Sequence, residues 1–121
     1  MKIDLNKVRV FWSECSHTVS TYRYEALCPD YSYPVGIAYV KVLGTQNDLS
    51  LALILHVEVI ASLRRRGVAT KIHDEISSHW HMLQTCGTSK SGLAFIKKLG
   101  YVYYKEIDSY VLKGKKEARD K

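Results

Sequence analysis

The segment best suited to chemistry is Val57-Glu-Val-Ile-Ala-Ser-Leu-Arg-Arg-Arg-Gly-Val-Ala-Thr70, an apolar strand that passes through a short loop into a helix. The loop holds Arg64-x-x-Gly67-x-Ala69. The first backbone N–H groups of a helix have no partner within it and carry the positive end of its dipole. Both effects stabilise an anion placed there. Gly67 has no side chain, so a phosphate can approach the backbone closely. Ala69 keeps the next exposed position small, Val68 starts the apolar helix face, and Thr70 adds a hydroxyl donor. Arg64, Arg65 and Arg66 can supply charge-assisted bonds to phosphate oxygens. The segment therefore reads as a pyrophosphate cradle. The plainer alternative is an arginine-rich turn at an ordinary helix start. The phosphate loops GxxxxGK[ST] and GxGxxG do not occur in the chain.

His56 and Glu58 are the titratable side chains of the apolar strand that precedes the loop. Two residues apart, they share a face. Burial there predicts shifted proton affinities of the kind catalytic groups have. The alternative is a solvated pair near the strand end, and a bulge would break the parity argument. His17, His73, His79 and His81 fall on a turn and around one helix end. His79 and His81, two apart at that end, do not converge on a metal, and no metal site is expected. Cys15, Cys28 and Cys86 are odd in number and form no CxxC pair. They read as free thiols of a reducing compartment, hence a cytoplasmic protein. No apolar stretch approaches the roughly 20 residues of a membrane span.

These residues need elements to position them. Val8, Val10 and Trp12 alternate with Arg9, Phe11 and Ser13, which predicts a strand. Further strands are expected over Thr18–Cys28, Val35–Leu43 and Leu51–Ile60, with a turn at Gly44–Asp48. The run Leu51–Leu55 is apolar at successive positions, as in a strand covered on both faces. Val68, Ala69, Ile72, Ile76 and Trp80 then fall at helical spacing. His81–Thr85 is a short strand. Ser89 or Ser91 caps a second helix with Leu93, Ile96 and Leu99 on its apolar stripe, and Gly100 stops it. Tyr101–Lys105 and Ser109–Lys113 complete an order ββββαβαββ. The fold class is α/β (α+β), a mixed sheet with two main helices and at least one parallel pair.

The chain of 121 residues is the size of one domain. It is expected to span 1–113, with a flexible basic tail at 114–121. A net charge of +6 favours anionic partners such as nucleic acid, an acidic protein or a polyphosphate cofactor. Lys90, Lys97 and Lys98 form one loose cationic group, and the tail forms another. Tyr22, Tyr24, Tyr31, Tyr33 and Tyr39 are half-buried strand residues or the lining of a groove that stacks bases.

With its strand, loop and helix, the Arg64-x-x-Gly67-x-Ala69 segment resembles the Q/R-x-x-G-x-G/A signature of the GNAT acetyltransferase family. A second family feature, a helix ending in an aliphatic-Gly-aromatic triplet, is matched by Gly92-Leu-Ala-Phe-Ile-Lys-Lys-Leu-Gly-Tyr101. The resemblance covers roughly residues 35–112. It implies a single-domain, mostly antiparallel GNAT-like sheet and an N-acetyltransferase using acetyl-CoA as co-substrate. It implies that the backbone of Val59 and Ala61 pairs with the pantetheine arm, and that the N–H groups from Arg65 to Thr70 bind the pyrophosphate. An acceptor amine would attack the thioester directly, which needs a base, for which Glu58 and His56 are the candidates, and an acid near the leaving thiolate.

The departures from the pattern matter equally. Many members carry two helices between their first and second strands, and this chain has no room for them. Its acceptor side is expected to be open, or closed by a second subunit as a homodimer. An open face suits a macromolecular amine acceptor, a protein lysine or N-terminus. Ser89 replaces an asparagine that often assists at the cofactor. Ile96 stands where a tyrosine commonly acts as the acid, leaving Tyr101, Tyr103, Tyr104 and Ser89 as alternatives. A nucleic-acid-modifying relative and a non-catalytic CoA- or partner-binding module are the competing readings.

Overall fold

Period-two alternation builds four successive antiparallel strands: β1 (Arg9–Glu14), β2 (Thr21–Leu27), β3 (Gly36–Gln46) and β4 (Leu49–Val59). Helix α1 (Val68–His79) leads to β5 (Met82–Thr85), which lies parallel to β4. Helix α2 (Lys90–Leu99) leads to β6 (Val102–Tyr104), and β7 (Ser109–Lys113) inserts between β5 and β6. The computed structural model describes residues 3–15, 20–46, 49–86 and 90–116. Among them the strands form one sheet in the order β1-β2-β3-β4-β5-β7-β6. The expected order ββββαβαββ, the two helices and the mixed, mostly antiparallel sheet are all present.

Both crossovers, β4–α1–β5 and β5–α2–β6, move the same way along the sheet. Parallel crossovers are right-handed, so both helices lie on one face. Their packing agrees. A Cβ at Gly36 of β3 would meet Ile72 and Val68 of α1, so the absence of a side chain lets α1 sit close. Behind α1, His73 hydrogen-bonds the Tyr101 hydroxyl at 2.7 Å and meets the Phe95 ring edge-on, which ties the two helices together. Tyr24, Ala38, Val40, Ala52 and Leu83 supply the buried sheet side of this core.

The other sheet face carries no helix among the described residues. Leu51 and Leu53 are half-buried there, and Leu55 is exposed. The expectation that this strand is covered on both sides is therefore corrected. Among the described residues its apolar run packs fully on one face, at Ala52 and Ile54, and the chain between β1 and β2, residues 15–20, is too short to supply a second helical layer.

Several boundaries differ too. β3 continues through Gly44 to Gln46, because pairing with Leu49–Leu51 outweighs the local turn preference. His81 and Tyr101 precede their strands rather than open them. Gly100 stops α2 as expected, with φ of 101° and the 6→1 bond from Tyr101 N–H to the Ile96 carbonyl. Gly114 and Lys115, assigned to the tail, are held against the fold, and residues 117–121 lie outside the described residues. Gly114 N–H donates to the His81 carbonyl at 2.7 Å, and Lys115 N–H donates to Ser77 at 2.8 Å, so this stretch is bound to the body of the fold.

Candidate functional site

The parallel pair β4–β5 is short. Leu51 through Ile54 pair with Met82 through Thr85, and then β5 ends while β4 continues to Val59. At the parting point the Thr85 hydroxyl donates to the Ile54 carbonyl at 3.3 Å. Beyond it, β4 pairs on one side only. Ile60 N–H donates to the Val35 carbonyl at 3.0 Å, so Ile60 directs its backbone groups toward β3. Alternation then turns the N–H and C=O groups of Val57 and Val59 away from β3, into the opening. An open strand edge is thereby presented on β4 beyond the end of β5.

That edge leads into the arginine loop. Leu63, 1% exposed in a 3₁₀ turn over Ala61–Leu63, anchors one side of the loop, and Val68, also 1% exposed, anchors the other. Between them Arg64, Arg65 and Arg66 are exposed. Arg65 has φ of 61° and Gly67 has φ of 93°. A left-handed Gly67 followed by helical Val68 points successive N–H groups into one concavity, a nest suited to an anion. The helix continues that concavity with the N–H groups of Ala69 and Thr70. Thr70 is exposed and Ala69 half-buried. The residues assigned to the phosphate, Arg65 through Thr70, thus surround one helix start. A pyrophosphate fits their chemistry.

Two details of the loop went unread in the sequence. Arg64 Nε donates to the Val59 carbonyl at 3.3 Å, so its guanidinium lies along the open edge. Leu5, in a 3₁₀ turn before β1, packs against Gly67, and a Cβ at Gly67 would lie 2.8 Å from it. Lys71 donates to the Leu5 carbonyl and holds that turn in place. Ala61 lies outside the strand, and its carbonyl accepts from Arg64 N–H at 3.4 Å. Val57 takes the strand-edge place that was expected of Ala61. Ser89 lies outside the described residues.

His56 and Glu58 share a face, as expected, but they are exposed rather than buried. The His56 imidazole meets the Glu58 carboxylate at 3.2 Å, with their side chains 56% and 66% accessible. The cause is a bulge. Tyr39 pairs with His56 and Val40 with Ile54, leaving Leu55 unmatched. Before the bulge the even-numbered Ala52 and Ile54 face the core, and after it Val57 and Val59 do. His56 and Glu58 therefore emerge on the helix-free face beside the opening. Tyr39, under the Arg23 guanidinium at 5.8 Å, and the Arg23–Glu25 ion pair at 3.4 Å are their neighbours across β3 and β2.

The candidates for an acid are dispersed: Tyr103 and Tyr104 lie on β6, beyond β7 from the end of β5, with Tyr103 paired to Tyr110 and Tyr104 to Ser109. Tyr101 is buried, its hydroxyl committed to His73, and desolvation pushes its phenol far above the usual range. Tyr103 donates to Asp108, and that hydrogen bond raises its phenol as well. Ile96 is buried in the core. Nearest the parting point are Thr85 and then Cys86, whose thiol meets the Ser109 hydroxyl at 3.3 Å. His79 Nδ1 meets the Tyr24 hydroxyl at 2.8 Å, whereas His81 Nδ1 accepts from Ser50 N–H at 2.9 Å, so the two rings serve separate partners.

No family model matches the sequence, and no curated protein matches it. Its fold is similar to solved structures. AtaTR bound with AcCoA matches at a TM-score of 0.62 and 10% identity over 78% of this chain and 68% of that one. The KacTA–DNA complex matches at 0.65 and 9% over 79% and 69%. The NatC complex bound to Gag peptide and CoA matches at 0.59 and 17% over 75% and 70%. The fold of the chain is the GNAT fold.

Proposed function

We propose that this chain is an acyl-CoA-dependent N-acyltransferase, with acetyl-CoA as co-substrate and an amine of a macromolecule, a protein lysine or N-terminus, as acceptor. The observation that carries this reading is that the edge of β4 left unpaired beyond Ile54 runs into the loop that ends at the left-handed Gly67 at the start of α1. A strand edge with free amide groups and an anion nest lie in line, which suits a ligand that is an amide chain at one end and a pyrophosphate at the other. At about 3.3 Å per residue, Ile54 to Val59 spans about 17 Å, room for an extended arm between the nest and the parting point. The solved structures of similar fold that are bound with AcCoA or CoA support it.

In this reading Arg65 through Thr70 hold the pyrophosphate, and Val57 and Val59 hold the arm as a neighbouring strand would. Acetyl-CoA supplies the activated thioester. Arg64 must leave the Val59 carbonyl as the arm arrives. Glu58, held by His56, takes the proton from the acceptor ammonium, directly or through a water. Both stand on the helix-free face, open to an extended chain. A structure of similar fold with a bound peptide favours a macromolecular acceptor.

The second reading is a CoA-binding module without turnover. It is favoured by Ile96, buried in the core, and by the commitment of the Tyr101 hydroxyl to His73, which remove two positions for a tyrosine acid. Release of free CoA from acetyl-CoA in the presence of a lysine-containing peptide decides between the two. Peptide-dependent release supports the transferase. Binding of acetyl-CoA with no release on lysine, N-terminal or nucleic-acid acceptors supports the module.

A further inference from the structure

The positive charge of the chain has a second focus, at the end of the sheet opposite the β4–β5 opening. There β4 and β5 begin and β7 ends. A hollow of about 540 Å³ lies between them. It is lined by Lys113, Lys115, Lys116 and His81 around an apolar floor that includes Leu49 and Met82, and among the described residues no acidic side chain lines it. Helix α2 runs back toward the start of β6, so Lys97 and Lys98 in its last turn return to the same end.

The lysines are presented by a fixed backbone. Gly114 N–H donates to His81 and Lys115 N–H to Ser77, while Lys115 Nζ is steadied by Asp74 at 3.1 Å. A Cβ at Gly114 would lie 1.8 Å from the Trp80 carbonyl oxygen, so the chain crosses there in direct contact with the turn after α1.

We propose that this hollow is a contact site for single-stranded nucleic acid, separate from the cofactor cradle. Lysines 113 and 116 take backbone phosphates, and the apolar floor takes an unstacked base. Cations spaced around an apolar surface match a polymer that carries one flat ring per phosphate. An acidic peptide carries its charges on flexible side chains with no obligatory ring for each charge. The inference does not rest on the transferase reading.

Fluorescence anisotropy with a labelled single-stranded oligonucleotide of mixed sequence tests it, from about 50 to 200 mM salt. Two variants lose the same charge: Lys113→Ala/Lys116→Ala at the hollow and Arg65→Ala/Arg66→Ala at the cofactor loop. All four side chains are exposed, so both variants should fold, and their urea midpoints verify this. The lysine variant should bind at least about tenfold more weakly, with the slope of log K against log salt reduced by about 1.4. The arginine variant should keep the wild-type slope. Equal losses in both variants would reduce the effect to net charge and overturn the site. So would an absence of wild-type binding at the lowest salt, or a polyglutamate peptide that competes as well as the oligonucleotide.

Discussion

The Thr85 hydroxyl donates to the Ile54 carbonyl at 3.3 Å, and these two residues are the last at which β4 and β5 pair. One side chain thus closes the apex of the opening. Thr85 is 8% exposed, so its loss leaves a buried carbonyl short of a partner. Thr85→Val keeps the shape and removes the bond. Stability should fall by about 1 kcal/mol, read as a lower urea midpoint at unchanged slope.

The His73–Tyr101 pair makes stability depend on pH. Burial lowers the His73 pKa from 6.5 to about 4. Between these values the unfolded chain binds a proton that the folded chain does not, so stability falls as pH drops from about 6.5 toward 4. The full loss from this group is at most about 3 kcal/mol. Urea titrations across that range should show the decline, and His73→Gln should flatten it. A wild-type stability that is level from neutrality to pH 4.5 would rule out a neutral buried His73.

How much of this was legible in the sequence depends on the range of the physics involved. Helix α1 and its glycine start were readable because spacing and backbone permissiveness are local. The order of elements followed from periodicity. The exposure of His56 and Glu58 was not readable, because it turns on the unmatched Leu55, and a bulge is fixed by pairing with β3. The Leu5–Gly67 contact joins residues far apart in the chain and left no local trace. The charged composition of 114–121 suggested a free tail, whereas Gly114 fits because a distant carbonyl, that of Trp80, leaves no space for a side chain.

That last contact has its own consequence. In Gly114→Ala the added methyl would press on main-chain atoms, which cannot turn aside as a side chain can. The end of β7 must then lift from α1 and break the bonds to His81 and Ser77. The cost should be about 2 kcal/mol or more, seen as a lower thermal midpoint.

If Glu58 is the base, Glu58→Gln should lower kcat for peptide acetylation by about 10²- to 10⁴-fold and leave acetyl-CoA affinity unchanged. His56→Gln should have a smaller effect on kcat, since His56 holds Glu58 at 3.2 Å without being the acceptor of the proton. A Glu58→Gln enzyme with wild-type turnover would remove Glu58 from the mechanism.

The central claim is that the opening and the arginine loop form one cofactor site, and calorimetric titration with acetyl-CoA tests it most directly. Gly67→Glu alone is a poor control, because φ of 93° and the contact with Leu5 strain any side chain there. Arg65→Glu/Arg66→Glu alters charge on two exposed side chains and is the better partner to wild type. Wild type should bind with a Kd of about 10 μM or tighter and the double variant at least about tenfold more weakly. Wild-type protein that takes up neither acetyl-CoA nor CoA, while fully folded, would contradict it.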